Sequence, residues 1–306
     1  MSGFAPPQTA PQGAHRSLVW RLGFLYAVLF LIIGCYLPYL PVWLEWRGFT
    51  ADQIAILLAT PLFGRILIAP SISFVADQLG DRRFVLILTA WGALIAYGAL
   101  WVAGGFWQML LAMVLVALAS TTLMPLTETI AISGVRRARL DYGHVRLWGS
   151  LSFIAASLGV GVVIQELGAG VVLRFLMAAA VWMVVGAYFI PSDLAATHRT
   201  GSATDGTPPQ RLRLADAVAL VRSPLFLLFL VAVSLIHGSH AMLYAFGSLH
   251  WRALGFTGGT IGMLWSIGVV AEILLFAVSG RIVGRIGSAR LLVLAGFMTA
   301  LRWSFM

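Results

Sequence analysis

The chain has 306 residues, of which 60% are hydrophobic and only 10% charged, and its mean hydropathy is +0.94. These values exclude an ordinary soluble domain, in which about a quarter of the residues are charged. Apolar runs repeatedly exceed the length of about 18 residues that spans a bilayer. The alternating pattern of a membrane β-barrel is absent from them. The sequence therefore predicts an all-α membrane protein.

The apolar runs define the predicted elements in chain order. Residues 1–17 form a predicted disordered cytoplasmic tail, since they are rich in Pro, Gln, Gly and Ala. Nine membrane helices are predicted, at 22–44, 52–76, 84–103, 106–135, 143–165, 170–190, 224–251, 260–283 and from about 291. A polar stretch divides them, which predicts a six-helix bundle at 18–190, a cytoplasmic loop at 191–215 and an incomplete C-terminal bundle at 216–306.

All twenty basic residues are arginine, and they give a formal net charge of +9. With the N-terminus inside, the inner segments hold fourteen arginines, at 16, 21, 82, 83, 136, 137, 139, 199, 211, 213, 222, 281, 285 and 290. The outer segments hold three, Arg47, Arg174 and Arg252. Such a bias places the arginine-rich side in the cytoplasm. The positive charge therefore reports topology, and no nucleic-acid partner is predicted.

A short internal repeat links the two halves of the chain. Gly48-Phe49-Thr50 recurs 207 residues later as Gly255-Phe256-Thr257. At the same offset Arg83 corresponds to Arg290. Helices one to three and seven to nine therefore look like copies in the same orientation. Parallel repeats of six-helix halves are typical of major facilitator transporters.

The segment from residue 73 to residue 83 resembles the major facilitator loop motif G-x-x-x-D-[RK]-x-G-[RK]-[RK]. Four residues fit the motif: Asp77, Gly80, Arg82 and Arg83. Three positions depart from it: Ser73, Gln78 and Asp81. The resemblance implies that the four matching residues act in gating. An ordinary solvated turn with positive-inside charge is the alternative.

Four further segments resemble the 3-phenylpropionate permease branch of the major facilitator superfamily. They are LDYGHVRLWGS from 140, HAMLYAFGSLHW from 240, LWSIGVVAEILLFAVS from 264 and the Arg-Trp pair at 302 and 303. More distantly, the chain is similar to the lactose permease type of oligosaccharide:proton symporter. The resemblance implies a twelve-helix major facilitator fold in a bacterial inner membrane, with proton-coupled symport of a small organic solute by alternating access. A 3-phenylpropionate-like aromatic acid is the favoured solute, and a sugar or a nucleoside is the alternative.

The residues themselves single out a charged pair around the arginine-rich turn after position 135. Glu128 lies eight residues before Arg136, and Arg146 lies seven residues after Arg139. Because a helix rises about 1.5 Å per residue, both side chains lie roughly 10–12 Å from the turn. An antiparallel hairpin then places the carboxylate and the guanidinium at similar depth. Ionisable groups inside a membrane usually face a cavity or a partner, so this pair is the predicted solute-binding pair.

The resemblance implies further roles for residues at matching positions. Glu128 and Arg146, 18 residues apart, match the sugar-binding glutamate and arginine of the lactose permease type. Phe153 takes the place of a tryptophan that stacks on the sugar there, which puts sugar binding in doubt. Arg302 matches an arginine used in proton coupling, and Glu272 falls near a coupling glutamate, about one turn away. Glu272 is the predicted proton carrier, because no arginine is matched to it by depth.

Three other residues are candidate solute contacts, and two of them have open alternatives. Arg65 is expected either to hold an anionic solute or to form a structural ion pair within the membrane. His240 and Tyr244 are four residues apart and share one face of the seventh helix, so both are expected to line the solute cavity. A hydrogen-bonded core histidine is the alternative for His240.

No catalytic motif, cysteine pair or phosphate-binding loop is present, so the protein is not expected to be an enzyme or to carry a cofactor or metal. The predicted partners are a solute, protons and the lipid bilayer, and the predicted state is a monomer. From 291 only 16 residues remain, about 24 Å of helix. We therefore expect helices ten to twelve, with the family's coupling histidine and glutamate, to be missing through truncation. A non-transporting membrane fragment is the corresponding alternative.

Overall fold

The computed structural model describes residues 12–79, 81–138, 140–192 and 222–304. All elements in this part of the chain are helices. Their bounds are α1 (Gln12–Trp46), α2 (Ala51–Leu79), α3 (Arg82–Val102), α4 (Phe106–Ser120), α5 (Leu123–Ala138), α6 (Tyr142–Leu167), α7 (Val171–Phe189), α8 (Pro224–Ala253), α9 (Gly258–Ile286) and α10 (Ser288–Ser304). Most of the predicted tail and of the predicted polar loop lies outside the described residues.

Seven stretches of the described chain are long and apolar enough to cross a membrane. They run over 17–46, 82–102, 106–138, 142–167, 171–189, 224–253 and 258–275. Each coincides with a predicted helix, which confirms the all-α membrane fold. By the same measure α2 contributes only the shorter stretch 51–64, and α10 has 17 residues.

The fourth predicted helix differs from the expectation, because two helices, α4 and α5, replace one continuous helix over 106–135. The break falls at Thr121 and Thr122. The Thr121 hydroxyl donates to the Ala117 carbonyl at 2.6 Å, in competition with the backbone N–H groups. Pro125 follows and has no N–H to offer the preceding turn. Local hydroxyl bonding together with one missing donor therefore ends α4 at Ser120 and lets α5 begin at Leu123.

Packing divides the chain into two compact units, Met1–Thr197 with Ser248–Val270, and His198–Gly247 with Ala271–Met306. In the first unit α1 is central and packs most extensively on α6 and α7. A Cβ atom added at Gly34 would press on the Phe153 backbone, so the absent side chain lets α1 approach α6 closely. In the second unit most of the apolar side chains of α8 and α10 are exposed.

The start of α9 belongs to the first unit through polar contacts with α1 and α6. The Tyr39 hydroxyl donates to the Ser157 carbonyl at 2.6 Å, and the Ser157 and Ser266 hydroxyls lie 3.0 Å apart. Gly161 and Gly258 approach each other so closely that neither has room for a Cβ atom. These contacts explain why packing assigns residues 248–270 to the first unit, whereas the boundary predicted from the sequence falls between 190 and 216.

The internal repeat extends to the backbone of the turns that follow α1 and α8. Gly48 and Gly255 have φ values of +87° and +86°, a region that glycine adopts readily. Their N–H groups donate to the Glu45 and Arg252 carbonyls, each at 2.9 Å. The side chains of Glu45 and Arg252 themselves form an ion pair at 3.0 Å. The copied sequence therefore makes a copied turn, and two positions related by the repeat touch each other.

Candidate functional site

The α5–α6 hairpin carries the two charged residues that the sequence pairs. Glu128 lies in α5 and Arg146 in α6. Asp141 caps the N-terminus of α6, since its carboxylate accepts the Gly143 N–H at 2.7 Å. That N–H, assisted by the neighbouring His144 imidazole, holds the pKa of the Asp141 carboxyl below its usual value. The capped turn fixes where α6 starts and so sets the depth of Arg146.

The Glu128 carboxylate is held mainly by two tyrosine hydroxyls. Tyr26 of α1 donates to Oε2 at 2.8 Å, and Tyr142 of α6 donates to the same oxygen at 2.6 Å. Arg146 Nε lies 3.8 Å from the other oxygen, Oε1. Both charged side chains are 23% exposed, and Tyr26 is fully buried. The structure therefore brings Glu128 and Arg146 together, with two phenols between α1 and the hairpin.

The Arg146 guanidinium stacks on an aromatic ring of α1. Its Cζ atom lies 4.1 Å from the centroid of the Phe30 ring and 5.8 Å from that of Tyr26. Its Nη1 atom is buried and has no hydrogen-bond partner among the described residues. Gly149 leaves room for this stack, because an added Cβ would lie 2.8 Å from the Phe30 ring. The site thus presents a desolvated cationic donor on an aromatic platform.

An apolar cavity of about 380 Å³ lies in the first unit. Some of its lining residues lie about one helical turn from the site residues of α1 and α5. Its lining from α1, α2, α3, α4 and the start of α5 is Leu29, Ile32, Ile33, Tyr36, Leu37, Pro61, Leu62, Tyr97, Val116, Ser120, Thr121, Leu123 and Met124. Met124 precedes Glu128 by one helical turn, and Ile33 follows Phe30 by slightly less. The charged pair and the apolar cavity are therefore neighbouring parts of one bundle.

The outcome is different for Phe153 and Arg65, the two other solute contacts that were predicted in the first half. Phe153 is 5% exposed, and its backbone packs against α1 at Gly34. The ring over Arg146 is accordingly that of Phe30, whereas Phe153 lies in the helix interface. The side chain of Arg65 lies outside the described residues.

The second unit gathers its own charged and aromatic side chains. Tyr244 lies within electrostatic range of both Arg302 and Glu272. The Arg302 guanidinium is 5.4 Å from the Trp303 ring centroid, and its Nε and Nη2 atoms are buried without a hydrogen-bond partner in the described chain. Tyr244 thus interacts electrostatically with both predicted coupling residues.

His240 lies beside Tyr244, with ring centroids 5.9 Å apart. Its Nδ1 atom is 2.7 Å from the Ile236 carbonyl oxygen, so this nitrogen carries the proton that the carbonyl accepts. His240 is therefore hydrogen-bonded within its own helix, and its role in solute binding stays a prediction.

The loop motif before α3 is described in part. Asp81, which replaces a basic residue of the family pattern, caps α3 by accepting the Phe84 N–H at 3.0 Å. Arg83 donates to the Tyr188 carbonyl at 3.0 Å, at the C-terminal end of α7. Arg82, which directly precedes Arg83, is half-buried. The Asp77 side chain and Gly80 lie outside the described residues. The gating role of the motif stays a prediction.

Three site residues were missed by reasoning from the sequence: Tyr26, Phe30 and Tyr142. A signal existed for Tyr142, which lies four residues before Arg146 on the same helix face. Tyr26 and Phe30 are also four apart, but nothing local ties α1 to a hairpin about 100 residues away.

Long apolar helices around a half-buried carboxylate and guanidinium and an aromatic ring are the arrangement expected of a membrane-embedded solute transporter. The chain belongs to the MFS_1 like family, which it matches over residues 19–306. It is 30% identical over 295 residues to the probable 3-phenylpropionic acid transporter of Escherichia coli (strain K12), covering 95% of this chain and 74% of that protein. It is 27% identical over 293 residues to the maltose permease of Geobacillus stearothermophilus, covering 95% and 71%.

The fold is also that of a solved transporter. The crystal structure of the nucleoside transporter NupG superposes with a TM-score of 0.71 at 19% identity, covering 88% of this chain and 68% of that one. The predicted membership in the major facilitator superfamily is thus confirmed. The protein is a multi-pass inner-membrane solute transporter.

Proposed function

We propose that this protein carries out proton-coupled symport of a small aromatic acid, of the 3-phenylpropionate type, by alternating access. The observation that carries the proposal is the Arg146 guanidinium, which is stacked on Phe30 with Nη1 buried and unpartnered. An arginine stays charged at any physiological pH, and its planar donors match a carboxylate. The relative named as a probable 3-phenylpropionic acid transporter supports the same solute class.

The neighbouring cavity supports an apolar body on the solute. The ring of a solute whose carboxylate binds Arg146 can extend toward this cavity, because the lining residues Met124 and Ile33 lie about one helical turn from Glu128 and Phe30 respectively. Solute sites are typically apolar clefts of about 300–1,000 Å³ with a few placed polar groups, and a cavity of about 380 Å³ falls in that range. An amphipathic aromatic acid therefore suits this part of the bundle better than a solute that is polar all round.

The solute class is tested by direct binding to the purified protein in nanodiscs. Labelled 3-phenylpropionate is expected to bind and to be displaced by unlabelled 3-phenylpropionate, whereas its neutral amide, maltose and uridine displace it weakly. Arg146→Gln should abolish binding, and Arg136→Gln, which removes an exposed arginine of the same hairpin, should not. Equal displacement by the acid and the amide would exclude an anion site.

A sugar is the second candidate, favoured by the maltose permease relative and by the Glu128 carboxylate beside Arg146. Hydroxyl groups donate to a carboxylate and accept from a guanidinium, so a neutral sugar should depend on both side chains. This candidate would be favoured if unlabelled sugar displaces a bound labelled sugar and 3-phenylpropionate does not displace it in the same assay.

Coupling is proposed to use the second unit. Proton symport needs a carboxyl group that alternates between protonated and ionised states, and Glu272 supports this role because both it and Arg302 act electrostatically on Tyr244. Arg302 then serves as the charge that stabilises the ionised carboxylate. Glu272 is the proposed proton carrier, and Arg302 is the proposed coupling arginine.

The orientation follows from the arginine bias, which puts the N-terminus, Arg82, Arg137, the 191–210 loop and Arg285 in the cytoplasm. Single cysteines at these positions, in a Cys35→Ala background, should resist an impermeant thiol reagent in intact cells. Cysteines at Arg47 and Arg174 should react. Labelling of Arg137→Cys from outside would reverse the scheme.

A further inference from the structure

Glu128 has more partners than an ordinary carboxylate–guanidinium pair provides. Its Oε2 atom accepts two hydroxyl groups, from Tyr26 at 2.8 Å and from Tyr142 at 2.6 Å. Both distances fall within the normal range for O–H donors of about 2.5–3.0 Å, and the shorter one is typical of bonds to an ionised oxygen. The tyrosines come from two different helices and meet on one atom of a third.

The guanidinium beside it is attracted but not hydrogen-bonded. The 3.8 Å between Arg146 Nε and Glu128 Oε1 exceeds the N–H···O range of about 2.7–3.2 Å. Arg146 instead stacks on Phe30, and its Nη1 atom has no partner in the described chain. The carboxylate is thus satisfied by phenols, and the guanidinium keeps donors for another anion.

A half-buried carboxylate that loses its donors is drawn to the remaining donors within reach, since an unpaired charge in a partly desolvated site is costly. For Glu128 the nearest remaining charged donor is Arg146 Nε. Removal of the two hydroxyls would therefore draw the carboxylate onto the guanidinium. A tight internal ion pair would then compete with the carboxylate of a solute.

We propose that Tyr26 and Tyr142 are positioning residues that clamp Glu128 away from Arg146 and so reserve the guanidinium for an anionic solute. The proposal deepens the proposed function, on which its solute class rests. The clamp acts through Glu128 and not through contact with the solute. It makes the site selective for acids over neutral molecules of the same shape.

The clamp is tested first without any solute. In protein labelled with ¹⁵N at arginine Nε, the Arg146 Nε–H signal is assigned by its loss in Arg146→Lys. In the double variant Tyr26→Phe/Tyr142→Phe, which keeps both rings, this signal should move downfield. Its exchange with solvent should slow about tenfold, the factor expected for one net hydrogen bond to a charged group. Each single variant should give a smaller change of the same sign.

Repeating the two Tyr→Phe changes in a Glu128→Gln background distinguishes a positioning role of the tyrosines from a merely structural one. In Glu128→Gln, which removes the charge to be clamped, the same two Tyr→Phe changes should leave the Arg146 signal unmoved. Tyr39→Phe is the matched control, because it removes a buried α1 hydroxyl that bonds the Ser157 carbonyl instead. An unchanged Arg146 signal in the double variant, or the same change in both backgrounds, overturns the clamp.

The solute arm separates this proposal from the proposed function. The double variant should bind 3-phenylpropionate about tenfold more weakly and its neutral amide unchanged, so the ratio of the two affinities falls. Equal weakening of both probes would assign the tyrosines a structural role and overturn the clamp. If the unmodified protein binds no 3-phenylpropionate while the Arg146 signal responds as expected, the clamp stands and the solute class falls.

Discussion

The two units hold the same three side-chain types, glutamate, arginine and tyrosine, in opposite arrangements. In the first unit the carboxylate of Glu128 is hydrogen-bonded by two phenols, and Arg146 is left with an unpartnered nitrogen. In the second, Tyr244 lies within range of both Glu272 and Arg302, and two Arg302 nitrogens are buried without partners in the described chain. Glu128 is half-buried, whereas the Glu272 side chain is exposed.

The difference suggests a division of function between the two clusters, with solute recognition in the first unit and proton exchange in the second. Two fixed donors orient the Glu128 carboxylate, which suits the recognition of a solute. The exposed Glu272 side chain is the proposed site of proton exchange.

The first prediction compares the two arginines. Arg146→Gln should lower 3-phenylpropionate affinity by at least about 30-fold, because truncating one partner of a desolvated charge pair typically costs about 2–5 kcal/mol. Arg302→Gln should retain solute binding and lose accumulation against a gradient. Binding in nanodiscs and uptake in proteoliposomes measure the two properties separately. Loss of solute binding in both variants would abolish the division between the clusters.

The second prediction compares the two carboxylates. Glu272→Gln should retain solute exchange across the membrane and lose uphill accumulation driven by a proton gradient, whereas Glu128→Gln should lose both. Counterflow and gradient-driven uptake in proteoliposomes distinguish these outcomes. Continued accumulation by Glu272→Gln would place the proton site elsewhere.

A third prediction concerns the room around Arg146. In Gly149→Ala the new methyl would lie 2.8 Å from the Phe30 ring and 3.2 Å from Arg146 Nη1. Such overpacking costs about 1–3 kcal/mol of folding stability unless the neighbours move. A shift of the Arg146 guanidinium away from Phe30 should lower 3-phenylpropionate affinity roughly tenfold, the equivalent of about 1.4 kcal/mol of binding free energy. Gly159→Ala in the same helix is the matched control, since nothing lies within 4 Å of its added Cβ. Equal affinities for the two variants would show that the stack on Phe30 is dispensable.

The smallest effect is expected at the turn of the hairpin. Asp141 has a pKa below its usual value because of the Gly143 N–H and then His144, so its cap stabilises the fold above the unfolded pKa of about 4. That contribution is lost as the pH falls through the lowered folded value. Asp141→Ala should lower the Tm slightly at pH 7, and Asp141→Asn, which keeps a capping oxygen, should lower it less. A Tm unchanged by Asp141→Ala would mean that the cap does not hold the hairpin.

Much of the fold could be predicted from the sequence, because lipid requires long apolar helices and gives them a strong signal. The start and end of α6 and α7 lie within two residues of the expected bounds, 143–165 and 170–190. The break between α4 and α5 could not be read in the same way. It depends on local threonine bonding inside an apolar run, and hydrophobicity does not report such bonding.

The site was predictable only where its residues are close in the sequence. Glu128 and Arg146 lie on one hairpin, so helix rise alone set them at one depth. Tyr26 and Phe30 reach the pair from α1, which packs on α6. Tyr26 is separated from Glu128 by 102 residues of sequence, so their contact depends on side-chain fit between distant helices. Long-range fit of this kind leaves no local pattern, and for that reason the phenols were missed.

The ion pair between Glu45 and Arg252 also bears on the history of the chain. The two positions are separated by the repeat offset of 207 residues, and their side chains touch at 3.0 Å. In an ancestor with identical halves, this position would have met its own copy, as residues on the axis of a symmetric dimer do. A glutamate facing a glutamate, or an arginine facing an arginine, repels. Attraction at this point therefore requires the two copies to carry different residues, so the pair fits two halves of unlike sequence and not two identical ones.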